Sequence, residues 1–456
     1  MSFSQALSGL NAASSKLGVL GNNIANSQTV GFKSANTQFA DVYAGSVGLG
    51  TRVSATLQNF KEGNLESTNR ELDLAVSGQG FYRFQQNGEI VYSRNGQLSM
   101  TPDGFLENAS GARIMGYGIN ADGQVQAGGQ PQVLNVPADE MPANATTNVM
   151  TTVNLDSRMV AGKDTNTAQV NNGAEEIDYH YSNNFTVYDS LGNPRNITVY
   201  YEKAQEQAQD GAGRLAFSAQ NGVLYYQDGA DYFDGDGNGV APEDVPAGLS
   251  AVMQGIPNTW NAKVAMDGTY KEANNFTVSF NSNGTLAAPA AGNMPGLNFT
   301  GAELGGDPDP LNFELNLAGS TQFGNTSTTS QLTQNGYTSG TLVGITIQSD
   351  GTVMRNYANE QQRPAGQIAL AHFRNPEGLR TAGDNAWTAS IDSGQELLGA
   401  PGTGIFGTVE SGAVESSNVD MAGELVQMIV SQRAYQANSQ TIKTQDELLQ
   451  TAINLR

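Results

Sequence analysis

A chain of 456 residues, 38% of them hydrophobic, is long enough for two to four domains with cores of their own. Its formal net charge of −22 argues against non-specific binding to nucleic acid or to an anionic membrane. The absence of cysteine excludes disulfides, thiolate metal sites and a cysteine nucleophile.

The opening segment, Met1 to Gln5, is polar and uncharged, so no cleaved signal peptide is expected. No run approaches the roughly 18 apolar residues of a membrane span, so no membrane insertion is expected either. Phe3, Leu7, Leu10, Ser14, Leu17, Gly21 and Ile24 recur at alternating spacings of four and three, the a/d seam of a helix. Asn22, Asn23 and Asn26 weaken that helix, and Gly31 supplies the positive φ that turns the chain.

The period then changes to two. Asn87-Gly88, Asn95-Gly96 and Asp103-Gly104 are turn dipeptides eight residues apart, separated by short apolar segments at 81–84, 90–92 and 98–100. They predict a β-meander. Small polar residues and prolines at 136–152 read as a linker. Strands are expected at 185–188, 197–201, 276–280 and 313–317. A second linker, rich in Asn, Thr, Ser and Gly, spans 322–339. The meander style returns at 342–347, 353–357 and 368–373 around Asp350-Gly351.

At the far end Met421, Met428, Tyr435, Ile442 and Leu449 repeat every seven residues, with Leu425 and Ile453 alongside. Ser417 or Asn418 is the expected N-cap, and Asp420 and Glu424 favour the first turns. A helix over about 419–455 would be about 55 Å long at ~1.5 Å per residue, a length that points to coiled-coil packing.

Together these elements predict a mostly β chain: β-rich domains nested in series, with long N- and C-terminal helices forming a coiled-coil-like inner domain. The expected division is a terminal helical domain from 1–26 and 415–456 and a connecting region from 27–70 and 403–414. A β-rich domain follows from 71–145 and 338–402, and 146–337 is an inserted outer β-rich domain in one or two parts. Two helical seams in one chain invite each other as partners.

Few constellations suggest chemistry. His180 and His372 are the only histidines, with no nucleophile elbow to make a triad of either. Gly402-Thr-Gly404-Ile-Phe-Gly407 matches a dinucleotide fingerprint in letters, but the residues after it read as extended rather than helical, so it is taken as linker. Asp234, Asp236 and Asn238 match the first half of a calcium loop. The twelfth position is Val245 rather than the bidentate Glu, and no Lys or Arg lies between 228 and 246. A solvated acidic turn is the simpler reading, and a weak calcium site the alternative. No catalytic residue and no cofactor site is assigned.

The ends carry longer patterns. Asn22-Asn-Ile-Ala-Asn26-Ser-Gln-Thr-Val-Gly31-Phe-Lys33, Glu71-Leu-Asp-Leu-Ala-Val-Ser-Gly-Gln-Gly80-Phe81, Val414-Glu-Ser-Ser-Asn-Val-Asp420 and Gln432-Arg-Ala-Tyr435-Gln-Ala-Asn438 resemble the bacterial flagellar rod–hook family. The large middle insertion, with Val187-Tyr-Asp189-Ser-Leu-Gly-Asn193, Asn335-Gly-Tyr337 and Gly383-Asp-Asn-Ala-Trp387, resembles the hook branch more than the distal rod branch. Residues from about 203 to 310 match poorly.

The resemblance implies a structural, non-catalytic subunit of a flexible tubular homopolymer that carries motor torque from rod to filament as a universal joint. It implies a place in the flagellar hook and basal body outside the cell, reached through the flagellar type III export apparatus. Expected neighbours are copies of itself and the hook cap, distal rod and hook–filament junction proteins. A secreted β-rich adhesin or glycan-binding module is the contrasting class; it would account for the strands but not for the two terminal seams.

Overall fold

The computed structural model describes residues 3–44, 47–120 and 123–454. The side chains of Ala44, Val47, Ala452, Ile453 and Asn454 fall outside that description, and the expected seam residue Ile453 is among them. The chain divides into two compact units, Met1–Glu140 with Thr341–Arg456, and Met141–Gly340.

The first unit begins with helix α1 (Phe3–Ala25) and ends with helix α2 (Met421–Asn454). The cap of α2 differs from expectation: Asp420 takes it, its Oδ1 accepting from the Ala422 N–H at 3.1 Å, because Asn418 is engaged elsewhere. After α1, Gly31 turns the chain at φ +72, and a Cβ there would lie 2.7 Å from the Asn95 nitrogen, so only glycine fits. Strands β1 (Ala35–Ala44) and β2 (Val47–Gln58) form an antiparallel hairpin beside α1.

Most of the remainder of this unit is an antiparallel sheet woven from both sides of the middle segment, with a three-stranded sheet of 408–411, 73–77 and 96–97 and the pair 65–67 and 413–415 beside it. The path of the large sheet runs 342–347, 352–357, 362–368, 113–117, 81–86, 89–93, 386–388, 380–383. Gly116 pairs with Ile368, and Tyr82 with Leu370. Leu74, Val76, Tyr82, Phe84, Ile114, Ile368 and Leu370 fill its core. The apolar segments at 81–84 and 368–373 therefore belong to one sheet although almost three hundred residues separate them.

Asn87-Gly88 forms the expected tight turn, both residues at positive φ. Asn95-Gly96 does not. There the chain leaves one sheet for another, Gly96 pairing with Leu74. A side chain on Gly96 would meet the Tyr82 ring, so this glycine serves packing rather than reversal.

The second unit is a sandwich. One sheet runs 181–188, 194–207, 253–266, 276–280, 286–288, and the other 296–299, 311–316, 148–154, 328–334. Trp260, Tyr201, Phe299, Phe313 and Leu155 lie in the shared core. Trp260 donates to the Gln322 Oε1 at 3.0 Å, which satisfies its buried N–H. Between 207 and 253 the chain leaves the sandwich for a separate five-stranded sheet, in which Ala216 and Ala219 are the buried apolar residues.

Candidate assembly site at the chain termini

The terminal helices pack together, antiparallel, in this structure. Asn23 Nδ2 donates to Glu424 Oε1 at 3.1 Å, and Lys16 Nζ to Gln427 Oε1 at 2.9 Å. A Cβ on Gly9 would lie 2.9 Å from Asn438 Nδ2. As numbering rises on α1 it falls on α2. At 34 residues against 23, α2 runs past the start of α1 by roughly 16 Å.

The contact face of α1 is not the apolar stripe of the sequence. Ala6, Ala13, Leu20 and Asn23 are buried, with Gly9 and Lys16 half-buried between them. This row is offset by one residue, about 100° of helix rotation, from Phe3, Leu7, Leu10, Leu17 and Ile24. Phe3 and Leu7 are exposed, while Leu10, Leu17 and Ile24 are half-buried at its margin. The physical reason is size. Alanine and glycine let two helix axes approach closely, whereas a row of Leu and Phe holds them apart.

On α2 the sheltered row is Glu424, Met428, Ser431, Asn438, Ile442 and Gln445. Met428 and Ile442 therefore lie where the heptad places them, and Tyr435 sits at the margin, 37% exposed. Met421, Leu425 and Leu449 lie outside that row; they are 44%, 46% and 59% exposed. Val426, Ile429, Val430 and Leu448, which the periodicity did not single out, are also exposed. The helix pair shelters its inner, partly polar row within the chain and leaves the apolar side chains around it uncovered. Each such side chain contributes roughly 1.5–3 kcal/mol if a neighbour buries it fully.

Below the helices lies a junction built from the motif residues of the two ends. Asn23 is fully buried and bonds both backbone groups of Ala35, accepting from the N–H at 2.9 Å and donating to the carbonyl at 2.8 Å. Asn418 does the matching work for the other terminus. Its Oδ1 accepts from the Ser34 N–H, and its Nδ2 donates to the carbonyls of Asn59 and Lys61. Gly31 N–H donates to the Glu415 carbonyl at 2.7 Å.

At the centre sits a buried ion cluster. Glu415 Oε1 accepts from Lys33 Nζ at 2.5 Å and from the Gly63 N–H at 2.8 Å; its Oε2 accepts from Arg94 Nη1 at 3.2 Å. The side chains of Lys33 and Glu415 are both 0% exposed. Arg94 also donates to the carbonyls of Val76 and Gly78, and Lys33 to that of Lys61. Burial pushes the Lys33 ammonium below the usual lysine range, and the Glu415 carboxylate opposes that shift without cancelling it. Sequence reasoning did not single out Arg94 at all, and named Lys33 and Glu415 only as carriers of a resemblance. The available signal was their polarity beside two helix ends, but polarity does not reveal which partners meet.

The acidic turn has been placed in the five-stranded sheet. Asp234 Oδ1 accepts from the N–H groups of Asp236 and Asn238, and Asn238 Nδ2 donates to its Oδ2. These hydrogen bonds, the Asn238 side chain first, hold the Asp234 carboxyl below its usual range. The turn is also not free of cations, as its sequence neighbourhood suggested. Arg214, which stands just before the strand at 215–218 and pairs with Asp210 at 2.6 Å, covers the Phe233 ring at 4.1 Å, and its Nη2 lies 3.5 Å from where a Gly237 Cβ would stand. Among the described residues no three His, Asp or Glu side chains are placed to hold a metal ion.

His180 is a structural bridge. Its Nδ1 accepts from the Lys203 N–H, which leaves Nε2–H to donate to the carbonyls of Val160 and Lys163. His372 is half-buried, and burial lowers its pKa. The glycine run at 402–407 is a turn followed by a strand, Thr408–Ser411.

Paired terminal helices carried on nested β-units define an axial flagellar structural protein. Family models agree along the chain: "Flagella basal body rod protein" matches residues 4–33, "Flagellar hook protein FlgE/F/G D1 domain" 75–152, "Flagellar basal body protein FlaE D2 domain" 154–337 and "Flagellar basal body rod FlgEFG protein C-terminal" 410–455. Flagellar hook protein FlgE of Escherichia coli K12 is 40% identical over 461 residues, and that of Salmonella typhimurium LT2 39% over 459, each alignment covering 100% of both chains. The crystal structure of Helicobacter pylori flagellar hook protein FlgE2 aligns at a TM-score of 0.48 and 13% identity, over 77% of this chain and 100% of that one. The chain belongs to the flagellar hook protein family and is a structural subunit of the hook, which polymerises with copies of itself.

Proposed function

We propose that this subunit forms the bendable, torque-transmitting segment between rod and filament. The observation that carries this is the contrast between closed β-cores and open helices: Phe3, Leu7, Val426, Ile429 and Val430 are exposed, whereas Trp260, Tyr82 and Phe84 are fully buried. Residues 1–26 and 415–456 then form an inner tube in which the exposed stripe of α1, with Leu10, Leu17 and Ile24 at its edge, meets neighbouring copies. Residues 27–70 and 403–414 connect to a middle layer of 71–145 and 338–402, and 146–337 forms the outer layer. Polar outer surfaces slide on bending, while the helices keep the subunits joined.

In this reading the chain performs no catalysis, leaves the cell through the flagellar type III apparatus without a cleaved signal, and meets the hook cap, distal rod and hook–filament junction proteins. Because each subunit carries a formal charge of −22, salt promotes assembly by screening repulsion. Negative-stain microscopy of purified chain in high salt tests the reading. Short tubes that curve under flow are expected; persistent monomers refute polymerisation, and straight rods that do not bend refute the joint.

A further inference from the structure

Residues 194–207 and 253–266 are neighbouring strands of the sandwich, and their far ends lead the chain into and out of the five-stranded sheet. Their pairing breaks on the way. Lys203 pairs with Trp260 and Gln205 with Gly255, so Ala204 alone faces the whole run from Ile256 to Thr259, in which Asn258 stands at φ +54. The strand at 181–188 gives no support beyond this point, since its pairing with 194–207 ends at Tyr181 and Tyr201. What carries the small sheet is therefore a two-stranded stalk, Gln205 to Gln207 against Met253 to Gly255. A two-stranded ribbon is marginal by itself.

A turn at 160–163 lies against this stalk. The Ala161 Cβ is 3.1 Å from where a Gly255 Cβ would stand, and a Cβ on Gly162 would be 3.0 Å from Gln205 Oε1. The turn is closed by its own bond, from the Lys163 N–H to the Val160 carbonyl at 3.1 Å. Among the described residues, its hydrogen bonds to the rest of the unit come from His180 Nε2, which donates to the carbonyls of Val160 and Lys163, each at 3.1 Å. On the other side of the ring Nδ1 accepts from the Lys203 N–H at 3.2 Å, beside the broken pairing. One imidazole thus links the turn to the strand.

We propose that His180 is an acid-released brace for the stalk. The bond at Nδ1 needs a lone pair, and imidazolium has none, because both of its nitrogens are donors. A proton on Nδ1 points at the Lys203 N–H, and the ring leaves the strand. Nε2–H still donates to the two carbonyls, so the turn departs with the ring, and Ala161 and Gly162 come away from Gly255 and Gln205. The charged groups on the surrounding elements do not hold imidazolium in place. Lys203 Nζ lies over the Trp260 ring at 5.1 Å, and the His180 ring packs edge-on against the same indole at 5.8 Å. Lys163 stands on the turn itself. Arg158 holds Asp156 at 2.7 Å, Lys263 holds Glu202 at 2.8 Å, and Asp164 is exposed. None of these carboxylates pairs with the ring, and Tyr179 and Tyr181 flank it in sequence as uncharged phenols. In neutral medium the brace stiffens the stalk; in acid the stalk bends at the break in its pairing.

Hydrogen–deuterium exchange of the full-length chain, read by peptide mass spectrometry and corrected for the intrinsic effect of pH, tests the brace. A released imidazole takes up its proton near ~6.5, so at about pH 5 the open form gains up to about thirtyfold over the closed one. Protection of 159–164, 203–207 and 253–256 should fall at least tenfold between about pH 8 and about pH 5. The ladder between 215–218 and 224–228 should keep its protection. His180→Gln supplies an amide that accepts and donates without titrating, and its exchange should not depend on pH. His180→Ala, which lacks the link, should exchange at about pH 8 as the parent does at about pH 5. Unchanged protection of the parent across this range overturns the proposal. An equal fall in His180→Gln overturns it too, because another group is then titrating. Parental protection of the stalk in His180→Ala shows that the turn braces nothing.

Discussion

Replacing Asn23 by alanine removes three hydrogen bonds at a point where no water replaces them. Asn23 is 0% exposed; it bonds the N–H and carbonyl of Ala35 at 2.9 and 2.8 Å and Glu424 Oε1 at 3.1 Å. Glu424 Oε2 is already buried without a hydrogen-bond partner, so the alanine leaves this carboxylate with neither oxygen served by Asn23. At ~1 kcal/mol net for each bond, with a further charge for groups left unpaired, the loss is about 2–4 kcal/mol per subunit. Since ~1.4 kcal/mol is tenfold in an equilibrium constant, the critical concentration for assembly should rise roughly thirtyfold to several hundredfold. Sedimentation of tubes across a concentration series measures it, and urea unfolding of the β-units should be unchanged. Asn23→Asp keeps an acceptor for the Ala35 N–H but sets a second carboxylate against Glu424. It should assemble worse than Asn23→Ala at neutral pH and recover as pH falls and the new carboxyl is protonated. Parental assembly of Asn23→Ala would refute the junction, and better assembly of Asn23→Asp than of Asn23→Ala at neutral pH would refute the electrostatic part.

Three further outcomes are expected. Ile442→Asp and Met428→Asp should fold as monomers and fail to form tubes, since both residues lie in the sheltered row of α2; normal swimming by an Ile442→Asp strain would place that row in solvent. In the second unit burial works against the Asp189 charge, but hydrogen bonds from Asn193, Arg195 and Leu191 overcome it and hold the carboxyl below its usual range. A carboxyl whose folded pKa is depressed stabilises fully above its unfolded value of ~3.9, and that stability is lost as pH falls through the lower folded value. Asp189→Asn should therefore lower the urea midpoint at pH 7, by a margin that shrinks as pH falls below the unfolded carboxyl value of ~3.9. Trp387→Phe leaves Trp260 as the fluorescent reporter of that unit, and a margin independent of pH would show that Asp189 does not act through its charge. Millimolar calcium should leave the calorimetric transitions unmoved, because Asp234 already accepts three donors from its own turn and Arg214 stands beside it; a rise abolished by Asp236→Ala would restore the calcium reading.

The sequence by itself determined what depends on neighbours a few residues away. Helix at both ends, strands between, the Asn87-Gly88 turn and the bend at Gly31 follow from periodicity and local backbone preference. The long motifs were enough to indicate the family. Tertiary structure decided everything that depends on who meets whom. An apolar stripe states that Phe3, Leu7 and Leu10 need burial, but not by what. Within the chain α1 turns its alanines and glycine to α2 instead, because they allow the closer approach. Asp234 looked free of cations because Arg214 lies twenty residues away in sequence and reaches the turn only across the five-stranded sheet. Lys33, Arg94 and Glu415 are ordinary charged residues in three distant segments. They become a buried cluster only because the two ends of the chain enter the same β-unit side by side, where desolvation makes each charge dependent on the others.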